Sequence, residues 1–243
     1  MAPGEEKDPG AILKAIEEHR ITHLNFVPSM LKVFVMTAQN LERMSGLKYL
    51  FIAGEALPRT LVQELRQKLP GVRLENIYGP TEGTIYATKH ALGDETGSVP
   101  IGKPLDNIRA YILNREGQLQ PAGIPGELCI AGAGLARGYL NRRELTAEKF
   151  TANPYEPGER MYRTGDLARW LADGTIEYEG RIDFQVKIKG YRIELGEITA
   201  RLQEHEKVKD AAVVARQDEQ GQPYLCAYIV ARTSWSKSEM RQY

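Results

Sequence analysis

The stretch Tyr162–Glu197, YRTGDLARWLADGTIEYEGRIDFQVKIKGYRIELGE, decides how the chain is read. Strand-like runs (ARWLA, TIEYEG, FQVKIK) alternate with punctuation. Asp173-Gly174 between two such arms predicts a hairpin. Thr164-Gly165-Asp166 reads as a glycine turn holding a buried Asp, and Gly180 to Asp183 as a Gly-Arg-x-Asp corner. A strand, a Gly-Tyr-Arg turn and a helix start follow. Polar groups fixed on turns between strands suit a ligand carrying hydroxyls or phosphates, with a joint directly behind it.

Working outward towards the N-terminus, residues 9–78 alternate helix and strand. AILKAIEEHR carries an apolar stripe of Ile12, Leu13 and Ile16. Then come a short strand (ITHLNFV), a helix with Pro28 near its start (PSMLKVFVMTA), a buried strand (LKYLFIAG), an amphipathic helix (LPRTLVQELRQKL) and a further strand (VRLENIY). Strands separated by helices pair in parallel through right-handed crossovers. Ligands in such sheets sit beyond the carboxyl ends of the strands, here Asn25, Ala53-Gly54 and Asn76 to Glu82. From about residue 97 short strands and glycine-rich turns take over (SVPIGKPL, IRAYILN, GELCIAG, GLARGYL), interrupted by one helix-like segment, RRELTAEKF. That texture predicts a small β-barrel or sandwich. After Asp183 the order strand, helix, strand, strand predicts a small α+β unit. The fold class is therefore α/β plus β. Residues 1–96 are expected to form the end of a flavodoxin-like parallel-sheet subdomain, 97–182 a small β-barrel subdomain, and 183–243 the start of a small α+β unit.

The 243 residues carry 32 basic and 32 acidic side chains, a balance that advertises neither a nucleic-acid nor a membrane surface. Cys129 and Cys226 lie far apart with no CxxC spacing, which fits reduced thiols in a cytoplasmic protein. The four histidines form no metal-ligand pattern. No run of about 18 apolar residues exists, and MAPGEEKDPG has neither the basic nor the apolar region of a signal peptide.

Three motifs carry chemistry. In Asn76-Ile-Tyr-Gly-Pro-Thr-Glu-Gly83 the Gly79-Pro80 turn is expected to project Tyr78, Thr81 and Glu82 at the sheet's rim. An aromatic face, a hydroxyl and a carboxylate there can stack a base, touch a phosphate and hold Mg²⁺; a strand-ending turn with a solvated Glu is the plainer alternative. Gly126–Leu140, GELCIAGAGLARGYL, is rich in glycine, but no Lys-Ser/Thr follows and no helix opens after it. It reads as turns between barrel strands, not a phosphate loop. Asp166 with Arg181 can grip the hydroxyls of a ribose, or can be an internal bridge pinning the hairpin. Tyr178 lies between them in sequence.

Taken in order, NIYGPTE, GELCIAGAGLARGYL, YRTGDL and GRIDFQVKIKGYRIELGE resemble the adenylation domains of nonribosomal peptide synthetases, a branch of the acyl-adenylate-forming enzymes. The resemblance covers essentially the whole chain, and QVKIKGYRIELGEI favours this branch over the CoA ligases. It implies that Tyr78 stacks on adenine, bordered by Asn76 and the Gly54-Glu55 backbone. Thr81 contacts the α-phosphate region and Glu82 helps hold Mg²⁺. Asp166 binds the ribose hydroxyls beside Arg181 and Tyr178. Asp183 is the hinge of the mobile subdomain, Gly190 sits on the loop that approaches the carrier's pantetheine, and Lys187 is a polar contact near the hinge. Asn25, Phe51, Ala53, Ile77, Ile85 and Tyr86 line the substrate pocket by register. None is charged, so a neutral side chain is expected in the substrate. The implied reaction consumes ATP with Mg²⁺ and an amino acid, and loads the phosphopantetheine of a peptidyl carrier protein within a set of neighbouring synthetase domains.

The family's Ser/Thr/Gly-rich phosphate loop and its C-terminal catalytic Lys are expected to lie off the two ends of these 243 residues, so the piece alone is expected to be inactive. Two alternatives stand beside this reading: a free-standing acyl- or aryl-CoA ligase, and a non-catalytic adenylation-like interaction module.

Overall fold

A computed structural model of the chain describes residues 5, 8–183, 185–188, 190–218 and 223–233. It divides into two compact units, Met1–Ile182 and Asp183–Tyr243.

In the first unit, helix α1 (Pro9–Glu18) starts where the Asp8 carboxylate accepts from the Gly10 amide at 3.0 Å and Pro9 needs no amide partner. Strand β1 (His23–Phe26) leads into α2 (Pro28–Thr37), then β2 (Tyr49–Ala53), α3 (Arg59–Lys68) and β3 (Arg73–Tyr78). β1, β2 and β3 pair in parallel, as the alternation with helices requires. The sheet then turns antiparallel: β4 (Thr88–Ala91) pairs with β3, and the two-residue β5 (Lys103–Pro104) with β4. Side chains alternate between faces. Phe26, Leu50, Ile52 and Leu74 pack with Ile12, Leu13 and Ile16 of α1, Leu31, Phe34 and Val35 of α2, and Leu61, Val62 and Leu65 of α3 in one core cluster. Asn25, Phe51, Ala53 and Ile77 alternate with those strand residues and stay outside that cluster.

The second sheet holds β6 (Ile108–Leu113), β7 (Gly126–Gly132), β8 (Phe150–Ala152), β9 (Arg160–Trp170) and β10 (Ile176–Arg181). All its pairings are antiparallel, in the order β10-β9-β7-β6 with β8 on β9. Helix α4 (Arg143–Lys149) precedes β8. The Asp173-Gly174 hairpin forms, and the Asp173 carboxylate accepts from both the amide and the hydroxyl of Thr175. The two sheets share a core in which Tyr78, Ala87 and Ile101 meet Ile112, Leu128, Ile130, Ala168 and Ile176. Residues 1–96 and 97–182 therefore belong to one packed body, joined across that boundary by the Leu105 amide donating to the Ala87 carbonyl at 2.9 Å and by Asn76 donating to the Pro100 carbonyl at 2.7 Å.

Three sequence expectations change. GLARGYL forms an irregular loop, and only Lys103–Pro104 of SVPIGKPL is strand. Thr164-Gly165-Asp166 is a bulge inside the eleven-residue β9, with the register against β7 shifting between Glu127 and Cys129. Gly165, at φ +71°, takes the backbone through a region that other residues reach only with strain.

The second unit contains two hairpins, β11 (Val186–Ile188) with β12 (Tyr191–Ile193) and β13 (Val208–Gln217) with β14 (Pro223–Ala231). Between them runs helix α5 (Leu195–Gln203), which packs on β13. No helix among the described residues is long and apolar enough to cross a membrane.

Candidate functional site

The Tyr78 side chain leaves the last position of β3 and enters the core shared by the two sheets. Its hydroxyl donates to Oδ2 of Asp166, 88 residues away on β9. Arg181, at the end of β10, donates from Nη1 to Oδ1 of the same carboxylate at 2.9 Å and to the Thr164 carbonyl at 2.7 Å. β10 brings Arg181 there because the Gly180 bulge sets it directly opposite Asp166. Tyr178, two positions earlier than Gly180 in β10, tilts against Tyr78 with ring centroids 6.3 Å apart. Asp166 and Arg181, which sequence alone left as ribose contacts or as an internal bridge, thus join Tyr78 and Tyr178 in one cluster, with the Asp–Arg bridge made.

The rim expectation is corrected. Tyr78 and Glu82 are buried, at 7% and 6% exposure, and Thr81 alone is exposed. Burial is the first reason the Tyr78 hydroxyl resists ionisation, and the Asp166 charge adds to it. The turn between Tyr78 and Glu82 depends on Gly79. A Cβ there would stand 2.3 Å from the Ile85 carbonyl oxygen and 2.7 Å from the Ala87 amide.

The bulge that presents Asp166 is held from several sides. Thr164 donates its hydroxyl to the Leu128 carbonyl at 2.6 Å and accepts from the Asp166 amide at 3.0 Å. The Gly165 amide donates to Glu127 at 3.1 Å, while Arg163 pairs with the other oxygen of that carboxylate. Sequence reasoning passed over Thr164 and Glu127. The regularity of TGD, with a hydroxyl and a glycine ahead of the Asp, was the available signal.

Glu82 lies in a 3₁₀ turn, Thr81–Gly83, that follows β3. Its carboxylate accepts from the Tyr139 hydroxyl at 2.6 Å. Among the described residues no group of three or more His, Cys, Asp or Glu converges to hold a metal. One buried hard-oxygen carboxylate still fits a Mg²⁺ that arrives on phosphates, because such an ion needs only one or two protein carboxylates.

Asn76 is buried and donates to the Pro100 carbonyl at 2.7 Å. Glu55 caps α2: its two carboxylate oxygens accept from the Ser29 amide at 2.9 Å and the Ser29 hydroxyl at 3.0 Å, at a helix start whose own N-cap, Val27, has no polar side chain to offer. Gly54 follows directly after β2, at φ +92°. Asn25 and Phe51 are direct neighbours across β1 and β2, and Ala53 and Ile77 across β2 and β3. Ile85 is 63% exposed and Tyr86 half-buried. In the second unit Asp183 accepts from the Gln185 amide at 3.1 Å, Lys187 lies on β11, and Gly190 sits at the β11–β12 turn.

Residues 1–140 match the family model described as AMP-binding enzyme. Over 244 residues, covering all of this chain, the sequence is 57% identical to a subunit of the linear gramicidin synthase of Brevibacillus parabrevis; over 97% of the chain it is 48% identical to bacitracin synthase 3 of Bacillus licheniformis. It spans 5% and 4% of those proteins. Among solved structures, holo-PA1221, an NRPS protein containing adenylation and PCP domains bound to a vinylsulfonamide inhibitor, superposes with a TM-score of 0.86 at 30% identity, covering 96% of this chain and 41% of that one. The chain belongs to the AMP-binding enzyme family, in its nonribosomal peptide synthetase adenylation branch.

Proposed function

We propose that this chain is the part of an amino-acid-activating adenylation domain that holds the nucleoside, and that the complete domain forms an aminoacyl-AMP and loads it on a carrier-protein phosphopantetheine thiol. The observation that carries this is the convergence of Tyr78, Asp166, Tyr178 and Arg181 from two sheets. A carboxylate has about four lone-pair sites. Asp166, already accepting from Tyr78 and Arg181, therefore retains acceptor capacity for two ribose hydroxyls. Tyr78, with Asn76 and the Gly54-Glu55 backbone, offers the base an aromatic edge beside a polar one. Thr81, exposed on its turn, is open to an α-phosphate oxygen.

Mg²⁺, held by Glu82 and the phosphates, supplies charge neutralisation when bound. The protein's share of the reaction is placement: fixed donors and acceptors hold the α-phosphate in line for the substrate carboxylate, which displaces pyrophosphate. Asn25, Phe51, Ala53, Ile77, Ile85 and Tyr86 form the side-chain pocket and favour a neutral amino acid. Asp183 opens the second compact unit, which supports its reading as the hinge, with Lys187 near it and Gly190 on the turn that approaches the pantetheine.

Amino-acid-dependent ATP–pyrophosphate exchange, measured on the synthetase that carries this chain, tests the proposal. Asp166→Asn, which keeps the shape but loses the charge, is expected to lower kcat/KM for ATP about 100-fold, from about 3 kcal/mol of charge-assisted hydrogen bonding. Unchanged kinetics would remove Asp166 from the nucleoside site. Selection of Asp, Glu, Lys or Arg as substrate would sink the neutral pocket.

A further inference from the structure

The glycine-rich loop Gly132–Tyr139, which sequence reading assigned to structure alone, is bound directly to the Glu82 turn. The Ala136 amide donates to the Glu82 carbonyl at 2.8 Å, and the Thr84 hydroxyl to the Gly134 carbonyl at 2.6 Å. Tyr139 completes the contact through its hydroxyl, 2.6 Å from Glu82 Oε1. Its backbone amide is in turn fixed by the Thr146 hydroxyl of α4 at 3.0 Å, and its ring packs edge-on against Phe150 with centroids 5.6 Å apart. The Tyr162 hydroxyl lies 3.4 Å from the Tyr139 hydroxyl; since Tyr139 donates to Glu82, it is Tyr162 that donates to Tyr139.

We propose that Tyr139 is a positioning residue for Glu82. Resting on the Mg²⁺ role proposed above, its hydroxyl fixes the carboxylate rotamer so that the group meets the metal in one set orientation. A carboxylate already held by a phenol proton at Oε1 needs no reordering when the ion arrives. Outer-shell partners of metal ligands typically matter 10- to 100-fold in metal affinity or activity. The link also ties Glu82, through Tyr139 and Tyr162, to the strand that presents Asp166 four residues further on.

The test uses the synthetase that carries this chain, with Tyr139→Phe and Glu82→Gln made separately. Two readouts are taken: the Mg²⁺ concentration that half-saturates pyrophosphate exchange, and the Mn²⁺ dissociation constant by electron paramagnetic resonance with a non-hydrolysable ATP analogue present. Tyr139→Phe is expected to raise both about 10-fold, with the KM for the amino acid unchanged and the melting temperature lowered by only a few degrees. Metal affinity unchanged in Tyr139→Phe but weakened in Glu82→Gln overturns the positioning role and leaves the Mg²⁺ role intact. Metal affinity unchanged in Glu82→Gln removes the Mg²⁺ role and this inference with it. Should Tyr139→Phe unfold, Thr146→Ala, which frees the Tyr139 backbone from its α4 anchor, is expected to weaken Mn²⁺ binding about threefold; no change there refutes the inference.

Discussion

Asp166→Ala should destabilise the first unit of the chain with no nucleotide present, because the buried carboxylate is held by Tyr78 and Arg181 within the fold itself. Its removal leaves the Tyr78 hydroxyl without this acceptor in a buried place, a cost of about 1–3 kcal/mol. It also takes the Asp166 charge from Arg181, whose side chain is 16% exposed, and breaking a buried ion pair from one side costs about 3–5 kcal/mol. Arg181 keeps the Thr164 carbonyl, which moderates the second figure, so the total expected is about 4 kcal/mol. Urea denaturation reads this, followed by the fluorescence of Trp170, which packs in the shared core, in a Trp235→Phe background. With a slope of about 2–3 kcal/mol per molar urea, the midpoint should fall by roughly 1.5 M. Tyr78→Phe should cost only about 1 kcal/mol, and the double variant should fall short of the sum by about 1 kcal/mol. A loss under about 0.5 kcal/mol for Asp166→Ala would show that the cluster contributes nothing to folding, and strict additivity with Tyr78→Phe would show that the Tyr78–Asp166 hydrogen bond adds no coupling.

Further consequences can be measured on the same chain. Gly79→Ala drives a Cβ into the backbone of residues 85–87 and should cost about 3 kcal/mol in the same denaturation, with Gly46→Ala, which meets nothing, as the control. Cys129 is fully buried and its thiol is pushed up to about 12, so a thiol reagent at pH 8 should titrate one of the two cysteines in the native chain and both in denaturant. Burial pushes the Glu95 carboxyl up, but the Gly93 amide and the His90 hydrogen bond and charge outweigh it and leave the group below its ordinary range. Its folded pKa is depressed, so the stability it adds is present above the unfolded carboxylate value and lost as pH falls through the folded one. Glu95→Gln should therefore flatten the stability curve below about pH 4.5 and leave it parallel to the parent above about pH 6.

Local information was enough for much of this protein. The 3.6-residue stripes of Ile12, Leu13 and Ile16 and of Leu61, Val62 and Leu65 specify helices because only one face of each is apolar. Asp173-Gly174 specifies its hairpin because Asp and Gly satisfy that turn without help from distant residues. The order of elements gave the parallel pairing of β1 to β3, and the four motifs in sequence gave the family. Where the competing partner lay far along the chain, local reading failed. The TGD segment has the composition of a turn, yet pairing with β7 and the Glu127 carboxylate draws it into a strand as a bulge. GLARGYL has the look of a strand, yet its amide and carbonyl groups are claimed by the Glu82 turn and by Arg160. Glu55 resembles a solvated loop residue until Ser29 is seen 26 positions upstream.

The sequence by itself determined which residue types are available, a Tyr and a Thr-Glu turn after β3, an Asp behind a Thr-Gly pair and an Arg after a Gly, because each stands in a short motif that can be read locally. Only the tertiary structure decided how they stand. Tyr78 is set in the core with its hydroxyl on Asp166, Arg181 opposite that carboxylate, and Tyr139 against Glu82, 57 residues away. Hydrogen bonds between such distant residues leave no local trace in composition or period. They exist because two sheets share one core, and that packing fixes where each side chain ends.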